Sequence, residues 1–147
     1  MDIIHKIGRR KTAVARIYLS EGNGEVTVNK RPLEEYFTTG TLQYKVNQPF
    51  ELTETAGKYN VNVNVYGGGI TGQAEAVRLA ISRALCQIDE ENRNALKPEG
   101  LLTRDPRMVE RKNSVRKKRE KSSSSRKDNF RGTQIINLFI ESSYAQT

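Results

Sequence analysis

The chain has 147 residues, of which 35% are hydrophobic, and its 25 lysines and arginines against 17 aspartates and glutamates give a formal net charge of +8. This length supports one compact core with an additional tail, and not several domains. No stretch reaches the roughly 18 apolar residues that a membrane span requires, the N-terminus lacks the features of a secretory signal, and a single cysteine excludes an internal disulfide.

The first predicted element is a basic strand from Lys6 to Leu19. No acidic residue occurs between Ile3 and Ser20, so the positive charge there is uncompensated. A solvated sheet face is one interpretation, and a phosphate-binding surface is the one we favour. The cations alternate imperfectly, so some must project to each side of the strand or occupy a bulge. They are Lys6, Arg9, Arg10, Lys11 and Arg16.

The next segment predicts a hairpin and a short helix. Asn23-Gly24 is the dipeptide most suited to a tight turn, so we expect the first strand to pair with a return strand over 25–28. Pro32 precedes two acidic residues, which indicates a short helix over 32–37. The segment 41–55 is ambiguous because Pro49 interrupts it.

The clearest periodicity lies in residues 59–66, where valines alternate with asparagines. This alternation predicts a half-buried strand with the valines on one face. After three glycines, apolar residues recur at helical spacing over 71–88 and predict a helix that packs on the sheet. A second short helix is expected over 90–96.

Gly67, Gly69 and Gly72 form a G-x-G-x-x-G motif between the predicted strand and the predicted helix. This is the local context of a dinucleotide-binding turn. A Rossmann unit also needs a second parallel strand that ends in an acid, whereas Asp89 and Glu90 are followed by a polar helix and a basic tail. We favour a turn that lets the backbone approach a phosphate, with a purely structural turn as the alternative.

The excess positive charge lies in residues 91–131, which hold 14 basic and 6 acidic side chains, a net of +8. The first 90 residues are nearly neutral, with 11 basic and 10 acidic side chains. A segment of this composition repels itself and cannot bury its charge, so it needs a polyanion to order it. Nucleic acid is the commonest polyanion, which predicts a nucleic-acid partner.

Three motifs, in the same order along the chain, resemble bacterial small-subunit ribosomal protein S-nine. The resemblance covers residues 1–112 and implies an α+β fold: a four-stranded sheet packed by helices, with a left-handed βαβ crossover like that of the second domain of ribosomal protein S-five, plus a basic extended C-terminal tail. The general rule for crossovers would give the opposite hand. The motifs are Gly8-Arg9-Arg10-Lys11-Thr12-Ala13-Val14-Ala15-Arg16, Val65-Tyr66-Gly67-Gly68-Gly69-Ile70-Thr71-Gly72-Gln73-Ala74 and Gly100-Leu101-Leu102-Thr103-Arg104-Asp105-Pro106-Arg107-Met108-Val109-Glu110-Arg111-Lys112.

The resemblance implies a structural constituent of the small subunit of a cytoplasmic ribosome, and not an enzyme. Its partners would be small-subunit ribosomal RNA, neighbouring ribosomal proteins of the subunit head and, through the C-terminal extension, the peptidyl-site transfer RNA. No membrane, cofactor, metal or catalytic residue is expected. The predicted RNA-binding residues are Arg9, Arg10, Lys11, Thr12, Arg16, Gly67, Gly68, Gly69, Gln73, Arg78, Arg83, Arg104, Arg107, Arg111, Lys112, Arg116, Lys117, Lys118 and Arg119.

Two other functional classes stay open from the sequence. One is a nucleotide-dependent enzyme built on the glycine motif, and the other is a nucleic-acid-binding regulator that works apart from ribosomes. Five tyrosines are candidates for stacking on bases, although we expect most of them to pack in the core or at an interface. They are Tyr18, Tyr36, Tyr44, Tyr59 and Tyr66.

The C-terminal sequence departs from the family that it resembles. Family members end in a basic tail that contains aromatic residues and closes with Ser-Lys-Arg, whereas this chain ends Tyr144-Ala145-Gln146-Thr147. Suppose that one adenine is missing at the codons of Lys112 and Asn113. With a suitable choice of degenerate codons, the shifted reading frame then translates as Lys-Phe-Gly-Gln-Lys-Lys-Ala-Arg-Lys-Lys-Phe-Gln-Phe-Ser-Lys-Arg, followed by a stop. We therefore interpret the residues from about Asn113 onward as a frameshift product or a sequencing error.

These observations together predict three segments. We expect a globular α+β domain over residues 1–103, a basic RNA-binding extension over 104–127, and a disordered, non-native tail over 128–147. The composition shift near Thr103 sets the first boundary. The shifted reading frame sets the second, because its stop falls at the codons of Asp128 and Asn129.

Genomic DNA across the codons of Lys112 and Asn113 tests the frameshift hypothesis. We expect the alternative frame to encode the basic tail written above and to end at its own stop. An intact gene that encodes the printed residues, with no such tail in another frame, would contradict the hypothesis.

Overall fold

The computed structural model describes residues 3–111. Its compact unit ends at Met108. The predicted disorder and the proposed frameshift after Lys112 lie outside the described residues, and the predicted segment boundaries stay predictions. The elements are β1 (Ile4–Arg10), β2 (Ala13–Glu21), β3 (Val26–Val28), β4 (Arg31–Pro32), α1 (Leu33–Tyr36), α2 (Gly40–Leu52), β5 (Tyr59–Tyr66), α3 (Ile70–Ile88) and α4 (Asn92–Leu96).

The strands form one mixed sheet in the order β1-β2-β5-β3-β4. β5 pairs antiparallel with β2 and parallel with β3, and the chain between β3 and β5 passes through α1 and α2. The sheet thus has five strands where four were expected, because the two-residue β4 pairs with β3 at the edge. The α+β class is confirmed, and the hand of the βαβ crossover stays a prediction.

The predicted single strand from Lys6 to Leu19 is wrong, because the chain reverses at Lys11-Thr12. β1 and β2 pair as an antiparallel hairpin in which Arg10 lies opposite Ala13. Lys11 adopts the left-handed backbone conformation, with φ of 51°, as a two-residue reversal requires. The reversal explains the imperfect alternation of the cations, which belong to two strands and not to one.

The predicted hairpin between β2 and a return strand over 25–28 is also wrong, because β5 lies between β2 and β3. The side-chain oxygen of Asn60 in β5 accepts hydrogen bonds from the backbone N–H groups of Asn23, Gly24 and Glu25, at 2.9, 3.1 and 3.0 Å. The Asn-Gly turn therefore wraps around a side chain of β5. The chain then enters β3 on the far side of β5.

The other predicted elements are confirmed. The alternating segment forms β5, and the helices predicted over 32–37, 71–88 and 90–96 form α1, α3 and α4. The ambiguous segment forms α2, in which Pro49 occupies the last turn. Thr53 closes this helix by donating its backbone N–H and its hydroxyl to the Pro49 carbonyl oxygen, at 3.2 and 2.9 Å. The carbonyl of Pro49 is thus satisfied at the C-terminus of the helix.

The core lies between the sheet and the helices. Alternate residues of β2 from Ala13 to Leu19 and the valines of β5 are buried against α3, and α2 packs on α3. The residues between them point to the other side of the sheet. We call that side the open face. Its strand residues are His5, Ile7, Arg9, Val14, Arg16, Tyr18, Ser20, Thr27, Pro32, Asn60, Asn62, Asn64 and Tyr66.

Gly8 in β1 tests the close packing of the sheet against α3. An added Cβ would clash with the Ala76 carbonyl oxygen and lie 2.8 Å from the Ala80 backbone nitrogen. We expect Gly8→Ala to lower the free energy of unfolding by about 1–3 kcal/mol in urea titrations, since neither backbone atom can move freely. Gly40→Ala is the control, because a Cβ there meets nothing within 4 Å. Equal stability of the two variants would contradict the packing.

Candidate nucleic-acid interface

Two of the predicted RNA-binding arginines lie together on the open face. Arg9 is opposite Val14 and Arg16 is opposite Ile7 in the β1–β2 pairing, so both point away from the helices. Both are exposed. The ion pairs found within residues 3–111 include neither of them. Their charges are therefore available to an outside anion.

Arg10 points to the opposite face and contacts two carboxylates. Its guanidinium is paired with Glu75 of α3, and its Nη1 lies 3.1 Å from Oδ2 of Asp105. The Lys45 ammonium lies 3.1 Å from Oε1 of the same Glu75. We call these four residues the Arg10 anchor. The anchor compensates the charge of Arg10 and ties the segment after α4 to the body of the domain.

Asp105 is also held by its neighbour Arg107. The backbone N–H of Arg107 donates to Oδ1 of Asp105 at 3.0 Å, and the guanidinium Nε lies 3.3 Å from the same oxygen. The hydrogen bond from the Arg107 backbone, together with the charges of Arg10 and Arg107, holds the pKa of the Asp105 carboxyl below its ordinary value. Arg104 and Arg107 are exposed on either side of this carboxylate.

The β1–β2 turn and the glycine turn pack against each other. Gly67 and Gly68 have φ of 75° and 64°, and a Cβ on Gly67 would lie 2.6 Å from the Thr12 carbonyl oxygen. Only glycine allows this approach. The structure thus brings together two motifs that are far apart in sequence. We call Lys11, Thr12, Gly67, Gly68 and Gly69 the turn cluster.

Gln73 holds the glycine turn through both ends of its side-chain amide. Its Nε2 donates to the Gly67 carbonyl oxygen at 3.1 Å, and its Oε1 accepts a hydrogen bond from the Tyr36 hydroxyl at 2.7 Å. α3 begins directly after Gly69, with no side-chain cap on its first turn. The Gln73 amide is therefore engaged within the protein, and the turn cluster offers mainly backbone groups and the Lys11 ammonium.

Two of the remaining predicted residues, Arg78 and Arg83, lie on α3 and make contacts within the domain. Arg78 Nη1 donates to Oε1 of Gln48 at 3.2 Å, and Arg83 Nη1 donates to the Ile7 carbonyl oxygen at 3.1 Å. Burial, followed by the nearby charge of Arg10, lowers the pKa of Arg78 from its ordinary value. Arg111 is exposed. Outside the described residues lie Lys112, Arg116, Lys117, Lys118 and Arg119.

The described part of the chain offers little for the enzyme alternative. After α3 the chain enters α4 and no further strand, so the glycine motif there lacks the second half of a Rossmann unit. Residues 3–111 contain no group of three or more histidines, cysteines, aspartates or glutamates that could hold a metal ion. No helix among them is long and apolar enough to span a membrane.

Sequence reasoning undervalued two tyrosines and missed two acidic partners. Tyr18 and Tyr66 lie on the open face and are exposed. Because side chains of a strand alternate between the two faces of a sheet, counting from Ala13 would have placed Tyr18 on the same face as Arg16. Glu75 and Asp105, which contact Arg10, gave no such signal because their pairing depends on tertiary packing.

A sheet face with exposed, unpaired arginines beside a glycine turn is a surface suited to a polyanion such as nucleic acid. Residues 8–127 match the family described as "Ribosomal protein S9/S16". The chain is 71% identical over 121 residues to the small ribosomal subunit protein uS9 of Christiangramia forsetii and 64% identical to that of Flavobacterium psychrophilum, in each case over 82% of this chain and 94% of the relative. The uS9 protein of Porphyromonas gingivalis is 54% identical over the same lengths. The chain therefore belongs to the ribosomal protein S9/S16 family, as its motifs predicted.

Gln73→Leu tests whether the amide locks the glycine turn. We expect a loss of about 1–3 kcal/mol in the free energy of unfolding, because the Tyr36 hydroxyl and the Gly67 carbonyl each lose a partner. Gln87→Leu, at an exposed position of the same helix, should stay within about 0.5 kcal/mol of the wild type. Tyr36→Phe combined with Gln73→Leu should cost less than the sum of the single changes, and strict additivity would contradict the contact.

Proposed function

We propose that this protein binds small-subunit ribosomal RNA in the head of the subunit and holds RNA segments at fixed spacing. Membership of the family makes the chain a structural, non-enzymatic component of the small subunit of the cytoplasmic bacterial ribosome, which acts in translation. RNA and the neighbouring ribosomal proteins are therefore its partners.

The observation that carries this proposal is the pair of arginines on the open face. Arg9 and Arg16 are exposed, on adjacent strands, and outside the ion pairs of residues 3–111. Each arginine that neutralises a phosphate releases condensed counterions, which drives binding without any chemical step. Such contacts fix the position of the protein on RNA and carry no sequence information.

The turn cluster supports a second phosphate contact. Its glycines allow close backbone approach, and the uncapped first turn of α3 directs N–H groups out of the helix end. Lys11 adds a positive charge at the same end of the sheet. Because Arg10 and Gln73 make contacts within the protein, we infer that these two residues support the site.

The C-terminal extension carries the third part of the proposal. In the family that the sequence resembles, this extension reaches the peptidyl-site transfer RNA, and we propose the same role for the extension of this chain. Within the compact unit, the Arg10 anchor holds Asp105 near the residue at which that unit ends. The transfer-RNA contact itself requires the family tail, and it therefore depends on the reading frame after Lys112.

Paired charge variants test the RNA contact. We expect Arg9→Gln with Arg16→Gln to weaken binding to a transcript of the head domain of small-subunit RNA. The slope of log affinity against log salt should become shallower by about 1.4 to 1.8, which corresponds to two lost phosphate contacts. Arg31→Gln with Arg93→Gln is the matched control, because both of these arginines are exposed, neither is among the predicted RNA-binding residues, and the same net charge is removed.

Equal slopes for the two double variants would reject a specific role for the open-face arginines.

Co-sedimentation distinguishes the proposed function from a nucleic-acid-binding regulator that works apart from ribosomes. The full chain should remain with small ribosomal subunits at salt concentrations that release a free nucleic-acid-binding regulator.

A further inference from the structure

The open face carries aromatic rings that the core does not use. The Tyr18 and Tyr66 side chains are 38% and 56% exposed. The ring of His5 stacks on that of Tyr18, with centroids 5.0 Å apart and an angle of 29° between the planes. This stacking restrains the Tyr18 ring without covering it. Solvent-exposed aromatic rings that are restrained in this way are available to stack on a planar group of a partner.

The strand register sets the spacing between the two tyrosines. Tyr66 lies opposite Val14, and Tyr18 lies opposite Asn62, so the tyrosines occupy neighbouring strands four residues apart in register. At about 3.3 Å per residue, the separation along the strands is about 13 Å. The row of Arg16 and Asn64 runs between them. A cation is thus flanked on both sides by an aromatic ring.

The polar groups beside the rings are amides and hydroxyls. Asn62 and Asn64 are exposed, and their side-chain amides make no hydrogen bond within residues 3–111. An amide both donates and accepts, which suits the edge of an unpaired base. A shallow depression of about 360 Å³ beside Tyr18 is lined in part by Ser20, Thr27 and Asn62.

The charge of the open face identifies the partner as an anion. Its strand residues include Arg9 and Arg16 and contain no aspartate or glutamate. Glu25, which directly precedes β3, lies at the edge of the depression. The face therefore combines positive charge with exposed rings and free amides. This combination matches single-stranded RNA, which presents phosphates and the flat faces of bases together.

We propose that the open face binds an unpaired segment of RNA, with bases stacked on Tyr18 and Tyr66 and the connecting phosphates on Arg9 and Arg16. The inference rests on the proposed function and adds the form of RNA that is recognised. A duplex does not fit, since its bases stack on one another and leave only its backbone and groove edges to contact the protein. Asn62 lies opposite Tyr18 and Asn64 opposite Arg16, so both amides would be within reach of the edges of bases stacked on the two rings.

Leucine variants of the two tyrosines test this inference in the full chain. The probe is a single-stranded RNA of about ten nucleotides, a length within the range that one sheet surface covers, and a duplex of the same sequence serves as comparison. We expect Tyr18→Leu and Tyr66→Leu each to weaken single-strand binding about fivefold or more, because the stacked ring is lost. Duplex binding and the salt slope should not change. Tyr18→Phe and Tyr66→Phe should bind within about twofold of the wild type, since phenylalanine keeps the ring.

Tyr44→Leu is the matched control, because Tyr44 is 55% exposed on α2 and away from the open face. Thermal unfolding of each variant checks that the fold is retained. A 4-thiouridine probe should cross-link to peptides of β2 and β5. If the wild type binds the single strand and the leucine variants bind it equally well, the inference is wrong while the proposed function stands. If the wild type binds no RNA, the proposed function fails as well.

Discussion

The reversal of the chain at Lys11-Thr12 is the constraint on which the site depends. Because the side chains of a strand alternate, Arg9 and Arg10 point to opposite sides of the sheet, and the two-residue turn returns Arg16 to the side of Arg9. One arginine is thereby left without a carboxylate partner among the described residues, and its neighbour is compensated by Glu75 and Asp105. A one-residue slip of β2 against β1 would move Arg16 to the opposite face from Arg9, since register and face are linked.

The arginine that is paired with carboxylates and the arginines that are not have different roles in the domain. Arg10 links β1, α3 and the segment that leads to the extension, so its charge stabilises the arrangement of elements. The amide of Gln73 does the same for the glycine turn. With these residues engaged internally, the open face is left with arginines, amides and rings that have no role in the core. A rigid support beneath a polar surface lowers the entropy cost of binding, because the contacting groups are already in place.

Local patterns predicted the elements whose pattern is strong in the sequence itself. The valine and asparagine alternation of β5 and the apolar stripe of α3 are complete within one segment, so both were predicted correctly. The prediction of a hairpin at Asn23-Gly24 was wrong because the side chain of Asn60, 36 residues away from Gly24, accepts hydrogen bonds from the backbone of this turn. The prediction of a single strand from Lys6 to Leu19 was wrong because the turn residues Lys11 and Thr12 include no glycine or asparagine that would have indicated a turn. The parts of the site that arise from tertiary contacts, such as the Arg10 anchor, could not be read from any one segment.

The central position of β5 has a consequence for synthesis on the ribosome. β5 separates β2 from β3, and its Asn60 closes the loop between them. The first 58 residues to emerge therefore contain four strands in two separate pairs, β1 with β2 and β3 with β4, and these pairs cannot join into one sheet until β5 follows. Pairings of such long sequence separation form late and slowly. The nascent chain thus exposes the edges of β2 and β3 until β5 has been synthesised. A translational pause before residue 59 prolongs that exposure.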